Sequence, residues 1–389
     1  MRAALSDPPI LALMVAQTLI WAATFYVFPA LVIEWRAEFG WSAGQVMGAL
    51  SLALAVQGLA AGRAGDLIDR GLAPVSMPGG ALLGAGCLAL LTQVDALWQF
   101  YALWGVIGLG MSLTLYDAAF ALVVRGRDET ARQAITAITL VAGFASTIAY
   151  PLTAWVSGGA GWRAAVWVLV ALVVLVNMPL AAFAARRLER EGAAREDATG
   201  APPAQAAWRR PGFWPLTLGL GFSALAVGIV TSHLLPLFAA LGVASATAVL
   251  AASIVGPSQV AGRVALSLAG LRVPGRILAV GALAGMGLAA TLLLGAGAWP
   301  ALVLTFAVLH GMCVGLVSIL RPVVIRETLG PRGFGAVQGA VVRPALFAFA
   351  AAPFVAALVA DAAGYLPVIA LCIAAQAGGA ALLWRLPRA

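Results

Sequence analysis

Two charged side chains stand inside long apolar runs of this sequence, where they are candidates for substrate binding or proton transfer. Asp117 lies eight residues before Arg125, and Arg343 lies about ten residues into its own run, directly before Pro344. An ionisable side chain at the middle of a bilayer costs at least ~2.5 kcal/mol on insertion scales, so each is a functional candidate. A carboxylate at that depth can carry a proton or pair with a cation, and a guanidinium can clamp a carboxylate or a phosphate.

The two histidines of the sequence also fall in apolar runs. His310 lies about eleven residues into its run, and His233 lies in the outer half of the run that begins near residue 213. Because histidine titrates near neutral pH, either could carry protons or hold a substrate; a hydrogen bond between helices is the alternative for each. Tyr116 and Tyr26 are candidate cavity hydroxyls, although anchoring at the membrane interface explains Tyr26 nearly as well.

A second candidate arginine, Arg321, directly follows the apolar run at residues 299–320 and is followed by Pro322, but it lies only five residues before Arg326. A long arginine side chain near a helix end can extend to the interface and keep its charge in water. We therefore expect Arg343, and not Arg321, to bind the substrate.

The composition predicts that transmembrane helices position these residues. Of the 389 residues, 62% are hydrophobic and 10% are charged, and the mean hydropathy is +0.99; soluble proteins carry about a quarter charged residues. In lipid each backbone group must be satisfied within its own segment, so the apolar runs are predicted as helices. Twelve runs are long enough to span a bilayer, at residues 10–33, 43–62, 75–94, 97–124, 133–157, 163–185, 213–240, 244–269, 276–296, 299–320, 334–360 and 364–385.

Arginines are distributed unequally between the loops on the two sides of these predicted spans. If the N-terminus is cytoplasmic, the outer loops hold only Arg36 and Arg163. Positive charge marks the cytoplasmic side of a membrane protein, so both termini are expected in the cytoplasm. The cytoplasmic set comprises Arg2, Arg63, Arg70, Arg125, Arg127, Arg132, Arg186, Arg187, Arg190, Arg195, Arg209, Arg210, Arg272, Arg276, Arg326, Arg332, Arg385 and Arg388.

The spans fall into two groups of six on either side of a polar segment. Residues 1–185 are predicted as an N-terminal six-helix bundle, residues 186–212 as a cytoplasmic linker, and residues 213–389 as a C-terminal six-helix bundle. The linker mixes prolines and acidic residues with its arginines, which predicts a helical start followed by mobile chain.

Short matches between the two halves recur at nearly constant offset. Ala-Gly-Arg at residues 61–63 matches Ala-Gly-Arg at residues 261–263, and Gly-Met at residues 110–111 matches Gly-Met at residues 311–312. Further pairs at similar offsets are Pro151 with Pro353 and Tyr26 with His233. Transporter folds are often built from such repeats with the substrate site at the repeat interface, so a parallel duplication of six helices is predicted.

The loop after the second predicted span carries a local motif. Gly65 is followed four residues later by Asp69-Arg70 and then by Gly71. In this motif and in its twelve spans the chain resembles the major facilitator superfamily of secondary transporters, over essentially its whole length. The resemblance implies an all-α membrane protein that works by alternating access, with Asp69 and Arg70 closing a cytoplasmic gate; a solvated turn is the alternative. The basic residues that follow the family motif are replaced here at residues 72–74.

Within the superfamily, three segments resemble bacterial members of the monocarboxylate and oxalate:formate type. They are Phe-Gly-Trp-Ser at residues 39–42, Leu-Tyr-Asp at 115–117 and Gly-Trp-Arg at 161–163. Members of this type carry a basic residue in helix 11, and Arg343 is the residue here that can fill this role. They also use a basic residue deep in helix 8, whereas Arg263 aligns near a cytoplasmic helix end. The resemblance therefore implies one arginine for a monoanion, or an Arg343–Asp117 pair that closes the cavity.

Other function classes find little support in the sequence. An intramembrane enzyme would need converging nucleophiles, bases or metal ligands, and the sequence has no HExxH, GxSxG or Walker motif. We therefore expect no enzyme, no catalytic residue, no metal site and no cofactor. Cys87, Cys313 and Cys372 lie in separate apolar runs, so no disulfide framework is expected. The net charge of +8 is spread over loops and forms no single basic face, which argues against nucleic acid as a partner.

The sequence therefore predicts a monomeric transporter in a bacterial inner membrane that moves a small organic anion, a monocarboxylate. The alternative is a proton-driven exporter of drugs or toxic metabolites, with Asp117 as the proton switch. Uniport, symport and antiport stay open. The predicted substrate ligands are Arg343, His310, Tyr116, His233 and Tyr26, the proton-coupling residues are Asp117 and His310, and the gate residues are Gly65, Asp69 and Arg70.

Overall fold

The structure is a computed structural model that describes residues 6–127, 130–193, 207–269, 273–330 and 334–386. All regular secondary structure in these ranges is helical. The chain divides into two compact units, one formed by Met1–Trp41 and Gly48–Ala198 and the other by Ser42–Met47 and Thr199–Ala389.

Nine α-helices form the described part of the first unit, except that the first five residues of α3 belong to the second unit. They are α1 (Pro8–Trp21), α2 (Val27–Phe39), α3 (Ala43–Asp69), α4 (Ala73–Leu91), α5 (Leu97–Thr114), α6 (Tyr116–Arg127), α7 (Ala131–Ala142), α8 (Ala145–Leu172) and α9 (Met178–Ala193).

Several of these helices join into longer membrane-spanning stretches. A π-helical turn, Ala22–Tyr26, joins α1 to α2, and a second one, Val173–Asn177, joins α8 to α9. A single residue, Leu115, separates α5 from α6. The predicted linker at residues 186–212 begins inside α9, and its residues 194–206 lie outside the described part of the chain.

Six α-helices form the described part of the second unit, after a short 3-10 turn at Ala207–Arg209. They are α10 (Phe213–Ala240), α11 (Ser245–Ala269), α12 (Gly275–Leu292), α13 (Leu302–Leu329), α14 (Phe334–Ala363) and α15 (Tyr365–Trp384).

Eleven helical stretches of the described residues are long and apolar enough to cross a membrane. One of them, Gln133–Gly192, has 60 residues, which at 1.5 Å per residue is about 90 Å, about three times the hydrocarbon thickness. Gly161 interrupts it with φ 80° and ψ 163°, a backbone conformation outside the helical region. One crossing therefore lies on each side of Gly161, so the described residues contain all twelve predicted spans.

Glycines bring neighbouring helices into backbone contact in both units. In the first, a Cβ added at Gly108 would lie 2.3 Å from the Ala53 carbonyl oxygen, so α5 lies directly on α3. In the second, a Cβ added at Gly315 would lie 2.2 Å from the Gln259 carbonyl oxygen, so α13 lies directly on α11. Small residues at helix interfaces permit the close packing that holds helices together in lipid.

An aromatic cluster fills one end of the first unit. Trp104 packs edge-on against Phe28 with ring centroids 4.6 Å apart, and Trp35 and Phe100 complete the cluster. All four side chains are fully buried.

Candidate functional site

A cavity of about 220 Å³ opens in the second unit between α10, α13 and α14. Three polar side chains contribute to its wall, Ser223 from α10 and Ser318 and Arg321 from α13. A concave, mostly apolar site with a few converging polar groups is the usual form of a small-molecule site. The apolar part of the wall consists of Leu220, Ala224, Val227, Val314, Val317, Ala345 and Phe349.

Arg321 is the charged side chain of this wall. The sequence prediction placed Arg321 at the interface because it lies five residues before Arg326. The predicted span ended at residue 320, whereas α13 continues to Leu329. Arg321 therefore lies about 12 Å from the helix end. Its half-buried side chain lines the cavity, a position that the snorkelling interpretation did not anticipate.

A second arginine reaches the same wall from α11. A Cβ at Gly262 would lie 2.4 Å from the Met312 carbonyl oxygen, so the backbones of α11 and α13 touch at this level as well. Next to this contact, Arg263 Nε donates a hydrogen bond to Ser318 Oγ at 3.1 Å. Ser318 Oγ in turn donates to the Gly315 carbonyl oxygen at 2.6 Å. Arg263 therefore contacts a residue of the cavity wall without itself lining the cavity.

Arg343 does not belong to this cavity wall. It is an exposed residue of α14, and α14 contributes Ala345 and Phe349 to the cavity. At about 100° per residue, Ala345 lies about 200° and Phe349 about 240° further around the helix axis than Arg343. Arg343 therefore faces away from the cavity. The two arginines that the sequence ranked against each other therefore lie in different surroundings, and the one ranked lower is at the cavity.

His310 extends the cavity-lining face of α13 into the interior of the second unit. It lies one turn before Val314, which lines the cavity, and is 3% exposed. Its ring stacks on Phe306 with centroids 5.2 Å apart. Within the described part of the chain, Nδ1 has no hydrogen-bond partner. A role for His310 as substrate ligand or proton carrier stays a prediction.

His233 is fully buried and engaged at both ring nitrogens. Nε2 lies 2.8 Å from the Pro353 carbonyl oxygen, which can only accept, so Nε2 carries the hydrogen. In the neutral ring Nδ1 then accepts from the Tyr365 hydroxyl, 3.0 Å away. These contacts join α10 to α14 and α15 and favour a structural role over the predicted role as substrate ligand.

The remaining predicted ligands lie in the first unit, near the interruption of the fourth span. Leu115 has an extended backbone (φ −77°, ψ −169°), and α6 begins directly after it. Asp117 therefore lies in the first turn of a helix, where a carboxylate interacts favourably with the helix dipole. Its side chain is exposed, and the neighbouring Tyr116 is half-buried. The ring of Tyr116 packs 4.9 Å from that of Trp21.

Tyr26 is joined to the same region by a short series of aromatic contacts. Trp21 and Phe25 have ring centroids 5.4 Å apart, and Phe25 and Tyr26 have centroids 5.2 Å apart. The structure therefore brings the predicted ligands Tyr26 and Tyr116 into one cluster of the first unit.

The predicted gate residues lie at the end of α3. Gly65 has open space around the position of a Cβ, and the side chains of Asp69 and Arg70 are exposed. Arg125 Nη1 donates to the Asp69 carbonyl oxygen at 3.0 Å, and Arg125 Nε donates to Glu189 Oε1 at 2.9 Å. This network fixes the start of the loop to α6 and α9. The gating role stays a prediction.

Sequence reasoning missed the two serines that line the cavity and ranked the lining arginine, Arg321, below Arg343. One signal was available, because Ser318 and Arg321 stand three residues apart and so lie on one face of a helix. Ser223 lies alone in an apolar run, where a serine commonly bonds back to its own helix and marks no site.

The comparisons with known proteins agree with this architecture. A family model described as the Major Facilitator Superfamily matches residues 13–342. A solved structure titled as a bacterial homologue of the human lysosomal transporter Spinster, in an inward-facing and occupied conformation, has a TM-score of 0.61 and 17% identity. The alignment covers 97% of this chain and 95% of that one, and at this identity the likeness concerns the fold. The search of curated proteins found no match.

The match to the family model extends over most of the chain, and the described parts of both units consist of helices long and apolar enough to cross a membrane. The chain belongs to the Major Facilitator Superfamily and is a multi-pass membrane transporter, not an enzyme.

Proposed function

We propose that this transporter moves a small organic anion, a monocarboxylate, across the inner membrane of a bacterium, with both termini in the cytoplasm. The observation that carries the proposal is Arg321, a guanidinium on a membrane-spanning helix that lines a partly open, mostly apolar cavity. An arginine inside a membrane protein is expensive to place and marks a substrate pathway by default.

The chemistry of the cavity wall suits a carboxylate with a small organic body. A guanidinium presents a planar fork that can donate two parallel hydrogen bonds to one carboxylate. The hydroxyls of Ser223 and Ser318 border the same space and can donate to the anion when their rotamers change. The apolar wall then takes the carbon skeleton, and a volume of about 220 Å³ limits the substrate to a small molecule.

This assignment changes the order in which the two arginines are expected to matter. The position of Arg321 in the cavity wall favours it as the carboxylate ligand, and Arg343 becomes a secondary candidate. Asp117 and His310 remain the candidates for proton coupling, and the segment from Gly65 to Arg70 remains the candidate cytoplasmic gate.

The proposal is tested by ligand-induced thermal stabilisation of the purified protein in detergent, because a ligand that binds the native state raises its apparent stability. Acetate, propanoate and benzoate are compared in wild type and in the matched variants Arg321→Gln and Arg343→Gln. We expect at least one carboxylate to stabilise wild type and Arg343→Gln, and to lose at least about tenfold in affinity in Arg321→Gln. Loss of stabilisation in Arg343→Gln alone would restore the sequence-based ranking.

The alternative function, proton-driven export of drugs or toxic metabolites, is favoured by one observation. Asp117, whose side chain is exposed, directly follows Tyr116, whose ring packs on Trp21, and a carboxylate together with aromatic rings suits an organic cation. Stabilisation by quaternary ammonium compounds but by no carboxylate would support the exporter and refute the anion proposal.

A further inference from the structure

Helices α10 and α13 run antiparallel along the cavity of the second unit. Arg210, just before α10, donates from Nη1 to the carbonyl oxygen of Leu329, the last residue of α13, at 2.6 Å. Near the opposite ends of the two helices, the rings of Phe238 and Phe306 have centroids 6.0 Å apart. The later residues of α13 therefore lie at the level of the earlier residues of α10.

This direction separates the polar from the apolar part of the cavity wall. Counted from the two contacts, Ser318 lies near the level of Ser223, and Val314 lies near the level of Val227. Arg321 lies one turn beyond Ser318, and the seven residues between Val314 and Arg321 correspond to about 10 Å of helix. The three polar side chains of the wall therefore share one end of the cavity, and the other end is apolar.

The ring of Phe349 lies at the apolar end of the cavity. A Cβ added at Gly228 would lie 3.2 Å from Phe349 Cδ2 and 3.0 Å from the Phe349 carbonyl oxygen. Five residues later on α10, His233 Nε2 lies 2.8 Å from the Pro353 carbonyl oxygen, so α14 runs parallel to α10. Phe349, which lines the cavity, is therefore at the level of Val227, the neighbour of Gly228.

Among the described residues that line the cavity, none with a polar side chain lies at this apolar end. His310 lies one turn before Val314 on α13, but it is 3% exposed, its ring is stacked on Phe306, and it does not line the cavity. A polar group at the far end of a bound molecule would lose its water there without gaining a partner, which disfavours binding. The cavity therefore suits a molecule with one charged end and one hydrocarbon end.

We propose that the transported anion is an alkyl monocarboxylate whose carboxylate binds Arg321 and whose chain extends toward Val314, and that Phe349 limits the length of this chain. The assignment rests on the proposed function for the carboxylate, and on the order of the wall residues for the chain. Each methylene moved from water into apolar surroundings increases affinity about fourfold. The increase stops where the chain meets a side chain that cannot move aside.

The experiment measures affinity along the series of unbranched acids from acetate to octanoate. Dissociation constants are taken from the concentration dependence of thermal stabilisation in detergent. For wild type we expect affinity to rise about fourfold with each methylene up to an optimum chain length, and not to rise beyond it. Adipate, which is hexanoate with a second carboxylate at its far end, is expected to bind at least about tenfold more weakly than hexanoate.

Two substitutions of Phe349 move the proposed limit. In Phe349→Ala, the acid with one methylene more than the wild-type optimum is expected to bind about fourfold more tightly than the optimum acid itself. Phe349→Leu keeps an apolar side chain at this position and removes less of the wall, so it should shift the optimum in the same direction with less risk to folding. The length limit is therefore tested even if the alanine variant does not fold.

Phe347→Ala is the matched control on the same helix. Phe347 lies two residues before Phe349 and about 200° away around the helix axis; it is 50% exposed and does not line the cavity. This variant should keep the wild-type optimum. Longer acids also partition into the detergent micelle, but they do so equally for every variant. The difference between Phe349→Ala and Phe347→Ala therefore isolates binding in the cavity.

Failure of the length limit and failure of the anion proposal give different results. Arg321→Gln should weaken all acids by a similar factor and keep the optimum chain length, whereas the Phe349 variants should change the optimum. If acids bind and Arg321→Gln weakens them, but both Phe349 variants keep the wild-type optimum or affinity does not depend on chain length, the length limit is overturned and the anion proposal stands. If no acid binds wild type, both are overturned.

Discussion

Replacement of Gly315 by alanine tests whether backbone contact between α11 and α13 determines the stability of the second unit. The new Cβ would lie 2.2 Å from the Gln259 carbonyl oxygen and 2.9 Å from two further backbone atoms of that residue. Backbone within a helix cannot rotate away, so the two helices must separate by about 1 Å to reach an ordinary contact distance. Overpacking of this kind costs about 1–3 kcal/mol, and a clash with three backbone atoms belongs at the upper end of that range.

Alanine has a higher helix propensity than glycine, which offsets up to about 1 kcal/mol of the overpacking cost. The free energy of unfolding is therefore expected to fall by about 2 kcal/mol. For a unit of this size, that loss lowers the melting temperature by about 4–8 °C. Thermal unfolding followed by tryptophan fluorescence in detergent measures the shift. Gly281→Ala in α12 is the matched control, because no atom lies within 4 Å of its added Cβ, and it should melt at or slightly above the wild-type temperature. If Gly315→Ala melts no lower than Gly281→Ala, the close packing described here is refuted.

Two further variants test contacts described above. His233→Phe leaves the buried Pro353 carbonyl and Tyr365 hydroxyl without their partner, so a loss of about 1–3 kcal/mol is expected; a melting temperature equal to wild type would exclude the structural role. The part-exposed Arg125–Glu189 pair should show a coupling of about 1 kcal/mol or less in a thermal double-mutant cycle with Arg125→Gln and Glu189→Gln. A coupling well above about 1 kcal/mol would contradict this expectation.

The sequence predicted the architecture because the bilayer imposes a strong constraint on it. Twelve apolar runs had to become twelve crossings, and Gly161, whose positive φ suits glycine, was recognised as the boundary between the fifth and sixth. Prolines did not mark boundaries in the same way, since Pro151 and Pro353 lie inside continuous helices. In a membrane, neighbouring groups can re-satisfy the backbone groups that a proline frees.

The site was less predictable, because its position depends on helix ends and backbone distortions. Arg321 was assigned to the interface because it lies five residues before Arg326, yet α13 continues for about two turns beyond it. The break at Leu115 has no proline or glycine next to it in the sequence. The residues Ala22–Tyr26 likewise carry no sequence signal that predicts a π-helical turn.

The internal repeat was detected, but the structure indicates a different register. The backbone contact of Ala53 with Gly108 corresponds to that of Gln259 with Gly315, at offsets of 206 and 207 residues. The Ala-Gly-Arg match had an offset of 200, and its two glycines have different surroundings: nothing lies within 4 Å of a Cβ at Gly62, whereas Gly262 lies on Met312. The Ala-Gly-Arg match therefore does not mark equivalent positions of the two units.

The burial of Cys87, Cys313 and Cys372, with exposures of 6%, 6% and 2%, makes the native thiols poorly accessible to reagents in water. A cysteine introduced at an exposed position of either unit should therefore be the preferred target of a thiol-specific spin label or fluorophore. Pairs of such labels would report distances between the two units while substrate is added, without prior replacement of the native cysteines. Such labels would therefore allow the conformational changes of the transport cycle to be followed directly in this protein.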